Sequence, residues 1–406
     1  MSTPRNQRTG TPPRYDFLLV ITTAALLIIG LMMVFSATAF KGVDYQLSDD
    51  PTYYILRQVI FSGVGLAAMF IMAHVRYHAW QRFSVVMLGF ALLLLGVVLV
   101  LGTERFGGTR WLHEGSVQPS EAARLAVIIY IADWLSSKGV RIRQVTYGLV
   151  PFGIMLGLVA GLIILQPNFS IAVLIAMTAV AMFFIAGGDL WQIIASGLLS
   201  CVPLVLLVTS SEYRIKRVLA FFNPLSDPSG ANYQTIQSLI ALASGGLLGV
   251  GPGASRQKFG YIPAAHTDNI FAVLGEEWGL IGCLVVVGLF AFLAYRGFRV
   301  AMNAPDLFGA VLASGITCSL IFQALVNMAV VTAMAPTTGI PLPFISYGGS
   351  SLVTSLAGIG LLLAVSRGAP PEPAREEATT RETYDLRRWD GRSRVSRPGR
   401  HRLVDN

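Results

Sequence analysis

Charge is scarce in this sequence. Only 13% of its 406 residues are Asp, Glu, Lys or Arg, whereas soluble domains carry about 25%. Hydrophobic residues make up 54% and the mean hydropathy is +0.62, so there is too little polar surface to face water. A soluble domain is excluded, and a polytopic membrane protein remains. Cysteine is almost missing too: Cys201, Cys283 and Cys318 all lie in apolar runs, which excludes a disulfide framework and leaves them as apolar filler. No dedicated metal cage is written. His74 and His78 have ligand spacing but no third ligand, and interfacial packing suits them better. Gly249-x-Gly251-x-x-Ala254 mimics a dinucleotide fingerprint without a strand before it. Ser255-x-x-Lys258 mimics the nucleophile motif of penicillin-binding enzymes, but the chain has no Ser-Asp-Asn or Lys-Thr-Gly companion.

What the chain has is apolar runs long enough to cross about 30 Å of hydrocarbon as helices. Ten can be read: Phe17 to Ala39, Ile55 to Met72, Phe83 to Leu101, Val117 to Leu135, Val145 to Leu165, Phe169 to Ala186, Leu190 to Val208, Ile270 to Ala294, Leu307 to Val331 and Ser351 to Val365. The expected fold is all-α, with ten transmembrane helices, both termini on one side and a large extracytoplasmic loop between the seventh and eighth. Lys and Arg in short flanking segments stay cytoplasmic, and Arg5, Arg8, Arg14, Arg76, Arg82, Lys138, Arg141, Arg143, Arg296 and Arg299 share a side when the amino terminus is inside. The expected divisions are a cytoplasmic segment 1–16, a membrane domain 17–366 and a basic tail 367–406. The tail is expected to be disordered and to anchor topology beside anionic lipid, with nucleic-acid binding a poor second. Ala37-Thr38-Ala39 resembles a signal-peptidase site, but the run before it is too long for a signal core, so an uncleaved helix is expected. Ile236 to Leu248, thirteen apolar residues with a Gly245-Gly246 pair, reads as a re-entrant or interfacial piece.

On this topology Asp268, directly before the run from Ile270, faces outward. A carboxylate at the mouth of a span is costly to desolvate and is by default a functional-site hypothesis. Its bland alternative is a helix N-cap. Basic residues also stand on the outer side, where topology does not call for them: Arg105 and Arg110 in one loop, Arg214, Lys216, Arg217, Arg256 and Lys258 in the other. An anionic partner such as a lipid pyrophosphate would explain them, as would local acids or headgroups. Glu121 and Arg124, three apart on the fourth run, share a helix face and can pair inside the membrane. Glu276 and Glu277 lie about two turns deeper than Asp268, where a structural and a cavity role stand equally open.

Several blocks recur together in one order: Arg110-Trp111, Gln118-Pro119-Ser120-Glu121, Tyr233-Gln234 into Gln237-Ser238, Ser255-Arg256-Gln257-Lys258-Phe259, His266-Thr267-Asp268, Phe271-Ala272-Val273 into Glu276-Glu277, and Gly339-Ile340-Pro341-Leu342-Pro343-Phe344-Ile345-Ser346-Tyr347-Gly348-Gly349-Ser350. This series resembles the SEDS family (shape, elongation, division and sporulation) of FtsW, RodA and SpoVE proteins, over Asp16 to roughly Arg367. The resemblance implies a peptidoglycan glycosyltransferase that polymerises lipid II at the outer face of the bacterial cytoplasmic membrane. It also implies a class B penicillin-binding transpeptidase and other divisome or elongasome proteins as partners, with membrane lipid around the chain. A lipid II flippase and a RodA-like elongation polymerase are the alternatives.

In the family, polymerisation depends on the aspartate that matches Asp268. Joining two disaccharides requires an acceptor hydroxyl to attack an anomeric carbon while undecaprenyl pyrophosphate departs. A carboxylate can take the hydroxyl proton, and cations can absorb the pyrophosphate charge. Asp268 fits the first role; Arg110, Arg256 and Lys258, with His266 and Thr267, are candidates around the substrate. Glu121, Arg124, Glu276, Glu277, Ser346, Tyr347, Gly348 and Gly349 are expected to be structural or tuning residues. No cofactor is evident beyond a divalent ion, Mg or Mn, accompanying the pyrophosphate. The chain departs from the family pattern at Arg124, where lysine is usual, at Asn269, where a bulky apolar residue is usual, and at Asn168-Phe169-Ser170. The Ser255 to Phe259 block is closer to FtsW and SpoVE than to RodA, which favours a septal role.

Overall fold

The computed structural model of the chain describes residues 15–38, 51–101, 103–105, 108–111, 118–209, 212–222, 230 and 232–368. In lipid every backbone amide must be satisfied within the protein, and helices do this segment by segment. The described chain is accordingly helical: α1 (Phe17–Thr38), α2 (Pro51–His74), α3 (Tyr77–Arg82), α4 (Ser84–Leu101), α5 (Pro119–Lys138), α6 (Val150–Leu165), α7 (Phe169–Ile185), α8 (Leu190–Thr209), α9 (Glu212–Phe222), α10 (Tyr233–Gly245), α11 (Ile270–Met302), α12 (Leu307–Val331) and α13 (Gly349–Gly368). The only strands among the described residues form a small hairpin, β1 (Thr103–Arg105) against β2 (Gly108–Trp111).

Among the described residues, seven helical segments are long and apolar enough to cross a membrane: α1, most of α2, α4, a π-helical turn continued by α6 (Val145–Leu165), α11, α12 and α13. Each of the other three expected runs also falls on a helix. α7 is apolar but shorter, α8 has 20 residues, and α5 has 20 but carries Glu121, Arg124, Asp133 and Lys138. Large apolar side chains such as Phe70, Val86, Phe90, Ile154, Leu165 and Leu284 face outward and are exposed. A water-soluble surface does not carry apolar area on this scale. The chain is a multi-pass membrane protein.

With lipid outside, helices associate by close packing rather than by apolar burial. Gly360 of α13 lies against the Met69 backbone of α2, and Gly30 of α1 lies against the backbone of Phe344 and Ile345. α12 and α13 occupy the centre, with Leu312, Ile316, Leu320, Leu356 and Ile359 in the core.

α11 departs from a plain span. It is 33 residues long and broken at Gly279, whose φ of 65° and ψ of −164° lie outside the helical region. The break frees backbone groups, and the segment after α10 takes them up: Val250 and Gly251 amides donate to Glu276 and Glu277 carbonyls at 3.0 and 3.1 Å, while Leu280 and Ile281 amides donate to Gly246 and Leu247 carbonyls at 2.9 and 3.2 Å. α10 has 13 residues, about 20 Å of helix. That is too short to cross, as expected for a re-entrant piece.

The helix ends sort into two groups. Asp16 before α1 is bonded at 2.6 Å by Arg296 of α11, and Arg367 at the end of α13 donates to the His74 carbonyl at the end of α2. His78 and Tyr77 bond Asp306 at 2.6 and 3.0 Å, and Asp306 caps α12 through the Gly309 amide. Asp268 and the 339–348 turn are joined at the other ends of α11, α12 and α13. The segments 1–14 and 369–406, which hold most of the expected terminal segment and tail, lie outside the described residues.

Candidate active site

Asp268 lies at the end of a run of turns, with Ala264 in the left-handed region at a φ of 51°. The alternative that it caps the following helix gives way to another arrangement. Asn269 is the N-cap residue of α11, and the Asp268 carboxylate points aside, half-buried. The Thr267 hydroxyl lies 3.0 Å from Asp268 Oδ1, and Gln234 Nε2 donates to Oδ2 at 3.3 Å and to Asn269 Oδ1 at 3.2 Å. Burial raises the pKa of this carboxyl, while the hydrogen bonds from Thr267 and Gln234 and the charge of Arg217 pull in the opposite direction. The Asn269 departure therefore gives Gln234 a second acceptor beside the aspartate, and Asn269 Nδ2 fastens the turn by donating to the Pro263 carbonyl at 2.7 Å.

His266 belongs to a ring cluster. Its centroid is 4.9 Å from Tyr54 and 5.6 Å from Tyr347, and the Tyr347 amide donates to the His266 carbonyl at 2.9 Å. Burial lowers the imidazole pKa to about 4, so near neutral pH His266 brings no positive charge for a pyrophosphate. Arg57 of α2 does bring charge to this cluster: it donates to the Tyr53 hydroxyl at 2.6 Å and interacts with Tyr347.

Lys258 is placed unlike a phosphate-binding cation. It is 2% exposed, and its Nζ sits 2.9 Å from Glu277, 3.0 Å from the Ser36 hydroxyl of α1 and 2.7 Å from the Gly253 carbonyl. A desolvated ammonium needs such partners. Glu276 receives the Ser255 hydroxyl and the amides of Arg256 and Gln257, the latter two at 3.0 and 3.3 Å. Both glutamates thus clamp the 253–258 turn onto α11. The Arg256 side chain is exposed. The side chains of Arg110 and Arg214 lie outside the described residues.

The Glu121–Arg124 pair is buried in the bundle, with Arg124 Nη2 3.1 Å from Glu121 Oε2 in ion-pair contact. Arg124 also donates to Gln323 Oε1 of α12, whose Nε2 reaches the Pro341 carbonyl at 2.8 Å and Ser351 Oγ at 3.1 Å. One turn further along α12, Asn327 Nδ2 donates to the carbonyls of Asp268 and Ile340 at 2.7 and 2.8 Å. Ser346 closes the proline-rich turn on itself through the Leu342 amide at 2.7 Å, and Gln58 of α2 holds the Ser346 carbonyl at 3.2 Å. Gly348 accepts the Leu352 amide at 2.9 Å as α13 begins, and Gly349 admits the Phe61 ring. The second departure works on the same turn, since Ser170 donates to the Thr338 carbonyl at 2.7 Å and Asn168 to Ser120 at 3.2 Å.

Next to this turn lies a small open cleft, lined by Arg217, Ala220 and Phe221 of α9, Asn232, Thr235 of α10 and residues 333, 335, 336 and 337. Arg217 donates to the Thr337 carbonyl at 3.0 Å. Among the described residues, Arg217 is a cation whose charge acts on Asp268, and chain order alone does not single it out from its basic neighbours. Asn327 and Gln323 also escape a search for charged residues. Their signal is two amides four apart in an otherwise apolar span.

The chain matches the family model described as "Cell cycle protein", covering FtsW, RodA and SpoVE, over residues 17–369. It is 44% identical over 359 residues to stage V sporulation protein E of Bacillus subtilis, covering 87% of this chain and 97% of that protein. Identity to the probable peptidoglycan glycosyltransferase FtsW of Trichlorobacter lovleyi is 40% over 363 residues, 88% and 95% of the two chains. Among solved structures, one described as "Structural coordination of polymerization and crosslinking by a peptidoglycan synthase complex" matches at a TM-score of 0.73 and 29% identity over 88% of this chain and 99% of that chain. The rod shape determining protein RodA of Thermus thermophilus matches at 0.65 and 29%, over 91% and 100%. On these matches, and on the helical membrane fold that carries them, this chain belongs to the FtsW, RodA and SpoVE family.

Proposed function

We propose that this chain is a peptidoglycan glycosyltransferase that polymerises lipid II at the outer face of the bacterial cytoplasmic membrane, with Asp268 as the general base. The observation that carries this reading is a half-buried carboxylate, gripped by Thr267 and Gln234 and backed through its main chain by Asn327, at the mouth of the bundle. Relatives at 40 to 44% identity named FtsW and SpoVE support the activity. The ten expected crossings are completed by α5, α7 and α8. The basic end that joins Arg296, Arg367 and His78 to their partners is then cytoplasmic, with both termini, and Asp268 opens outward.

Asp268 takes the proton of the acceptor hydroxyl as that oxygen attacks the anomeric carbon, and the bond to undecaprenyl pyrophosphate breaks. Arg217 and Arg57 replace Lys258 and His266 as the cations that face the developing charge. A divalent ion would supply further charge neutralisation, riding with the pyrophosphate near Asp268. Among the described residues no group of three His, Cys, Asp or Glu side chains could hold one without the substrate. EDTA is therefore expected to slow polymerisation while leaving thermal unfolding unchanged. A class B penicillin-binding transpeptidase is the proposed partner, which the likeness to a peptidoglycan synthase complex supports.

A flippase would need polar groups along a path through the bundle. Glu121, Arg124, Glu276 and Glu277 are instead buried and turned toward each other or toward local backbone and side-chain groups. Purified protein given lipid II in detergent tests the reading, because detergent offers no second leaflet. Glycan chains are expected from wild type and none from Asp268→Asn; normal polymer from folded Asp268→Asn removes Asp268 as base. Higher identity to FtsW and SpoVE than to RodA favours a septal role over an elongation role. Depletion should then filament cells rather than round them.

A further inference from the structure

Two uncharged side chains in α12 sit where the catalytic turn meets the bundle. Asn327 is 1% exposed, and both of its amide hydrogens are engaged by main-chain carbonyls, Asp268 at 2.7 Å and Ile340 at 2.8 Å. Two carbonyl acceptors fix which end of the amide faces them. These carbonyls come from the two segments that flank the reactive carboxylate. Asp268 is on one side, and Ile340 follows Gly339, whose missing Cβ would stand 3.8 Å from Asp268 Oδ2. A single side chain thus sets the spacing of both walls.

Gln323 lies four residues earlier on the same face, about 6 Å along the helix. Its amide is oriented by charge: Arg124, paired with Glu121, donates to Gln323 Oε1, which turns Nε2 toward the Pro341 carbonyl, the residue after Ile340. The ion pair of α5 and the aspartate at the mouth are therefore linked through two amides and one turn. Apolar residues of similar size at 323 and 327 would leave three buried carbonyls unsatisfied, in a place where each is costly.

We propose that Asn327, beside a Gln323 oriented by the Glu121–Arg124 pair, is a positioning residue that holds the Asp268 carboxylate in line with the acceptor hydroxyl. This rests on the reading of Asp268 as the base. Misplacing a reacting group by about 1 Å can cost on the order of 100-fold in rate. Asn327 touches no reacting atom, so its loss should act on turnover and leave substrate affinity alone.

The test uses the purified full-length chain in detergent with lipid II, comparing initial rates across substrate concentration and pH. Asn327→Ala is expected to lower kcat roughly 10- to 100-fold with KM unchanged within about twofold. The acid limb of its pH profile should move toward lower pH, because a loosened Asp268 gains water. Gln323→Leu should lower kcat less, and the double variant should lose little more than Asn327→Ala alone, as members of one linkage do. Asn327→Ser retains a donor for one carbonyl; it should fold where the alanine variant does not, with an intermediate kcat. A folded Asn327→Ala or Asn327→Ser with wild-type kcat and pH profile, merely less stable to heat, overturns the proposal. Polymer from Asp268→Asn would instead remove the reading beneath it, whatever Asn327 does.

Discussion

At Asp268, stability and chemistry pull apart. Burial raises its pKa above the ordinary 3.8, so the folded state favours the neutral acid. That preference stabilises the fold at low pH and is lost as pH rises through the raised value, above which the carboxylate is ionised and poorly solvated. Above that raised value Asp268→Asn should consequently melt at or above the wild-type temperature while polymer formation stops, and differential scanning fluorimetry across pH beside the lipid II assay reads both. A base must be ionised, so turnover should fall on acidification through a pKa above 3.8. Arg217 pulls that pKa down, and Arg217→Gln should move the acid limb upward as well as slow turnover. The carboxylate stood out in the sequence as a charged residue before an apolar run. Its partners were not, because Gln234, Asn327 and Arg217 lie 34, 59 and 51 positions away in the chain and carry no local mark of their meeting.

Among elements, α11 shows most clearly how local pattern and packing diverge. The sequence supports one long apolar helix from Ile270, yet the helix breaks at Gly279, where the returning 246–251 segment reaches its backbone. Only contact with that segment makes the break tolerable, since freed amides and carbonyls in a membrane need protein partners. A side chain at Gly279 would meet the Gly249 amide and the Leu247 carbonyl in a backbone conformation suited to glycine. Gly279→Ala should therefore lower the melting temperature and the yield of folded protein. The neighbouring clamp predicts a contrast. Lys258→Met alone strands Glu277 in the interior and should cost about 3 to 5 kcal/mol. Lys258→Met with Glu277→Leu removes both charges and should recover much of that loss, as thermal unfolding in detergent would report.

Across the whole molecule, basic residues from distant parts of the chain gather at one end of the bundle. Basic residues chosen for topology, Arg296 among them, meet partners at the end of the bundle away from Asp268, and Arg367 joins them there. Cysteines placed at exposed Pro263 and at exposed Arg82 should react with a membrane-impermeant maleimide on opposite sides of intact cells, with Pro263→Cys labelled from outside. Labelling at 263 only after permeabilisation would invert the topology and remove lipid II polymerisation at the outer face.

Composition and run length by themselves determined a helical, multi-pass membrane protein, and motif order placed a carboxylate at the start of its eighth expected span. These are properties of solvent preference and of neighbours along the chain, which a linear pattern records. Tertiary structure alone decided that Lys258 closes an internal ion pair, that His266 packs between Tyr54 and Tyr347 with a lowered pKa, and that Asn327 spans the two walls beside Asp268. Each of those outcomes depends on which distant backbone or charge a side chain meets once lipid and packing exclude water, and residue type does not encode that meeting.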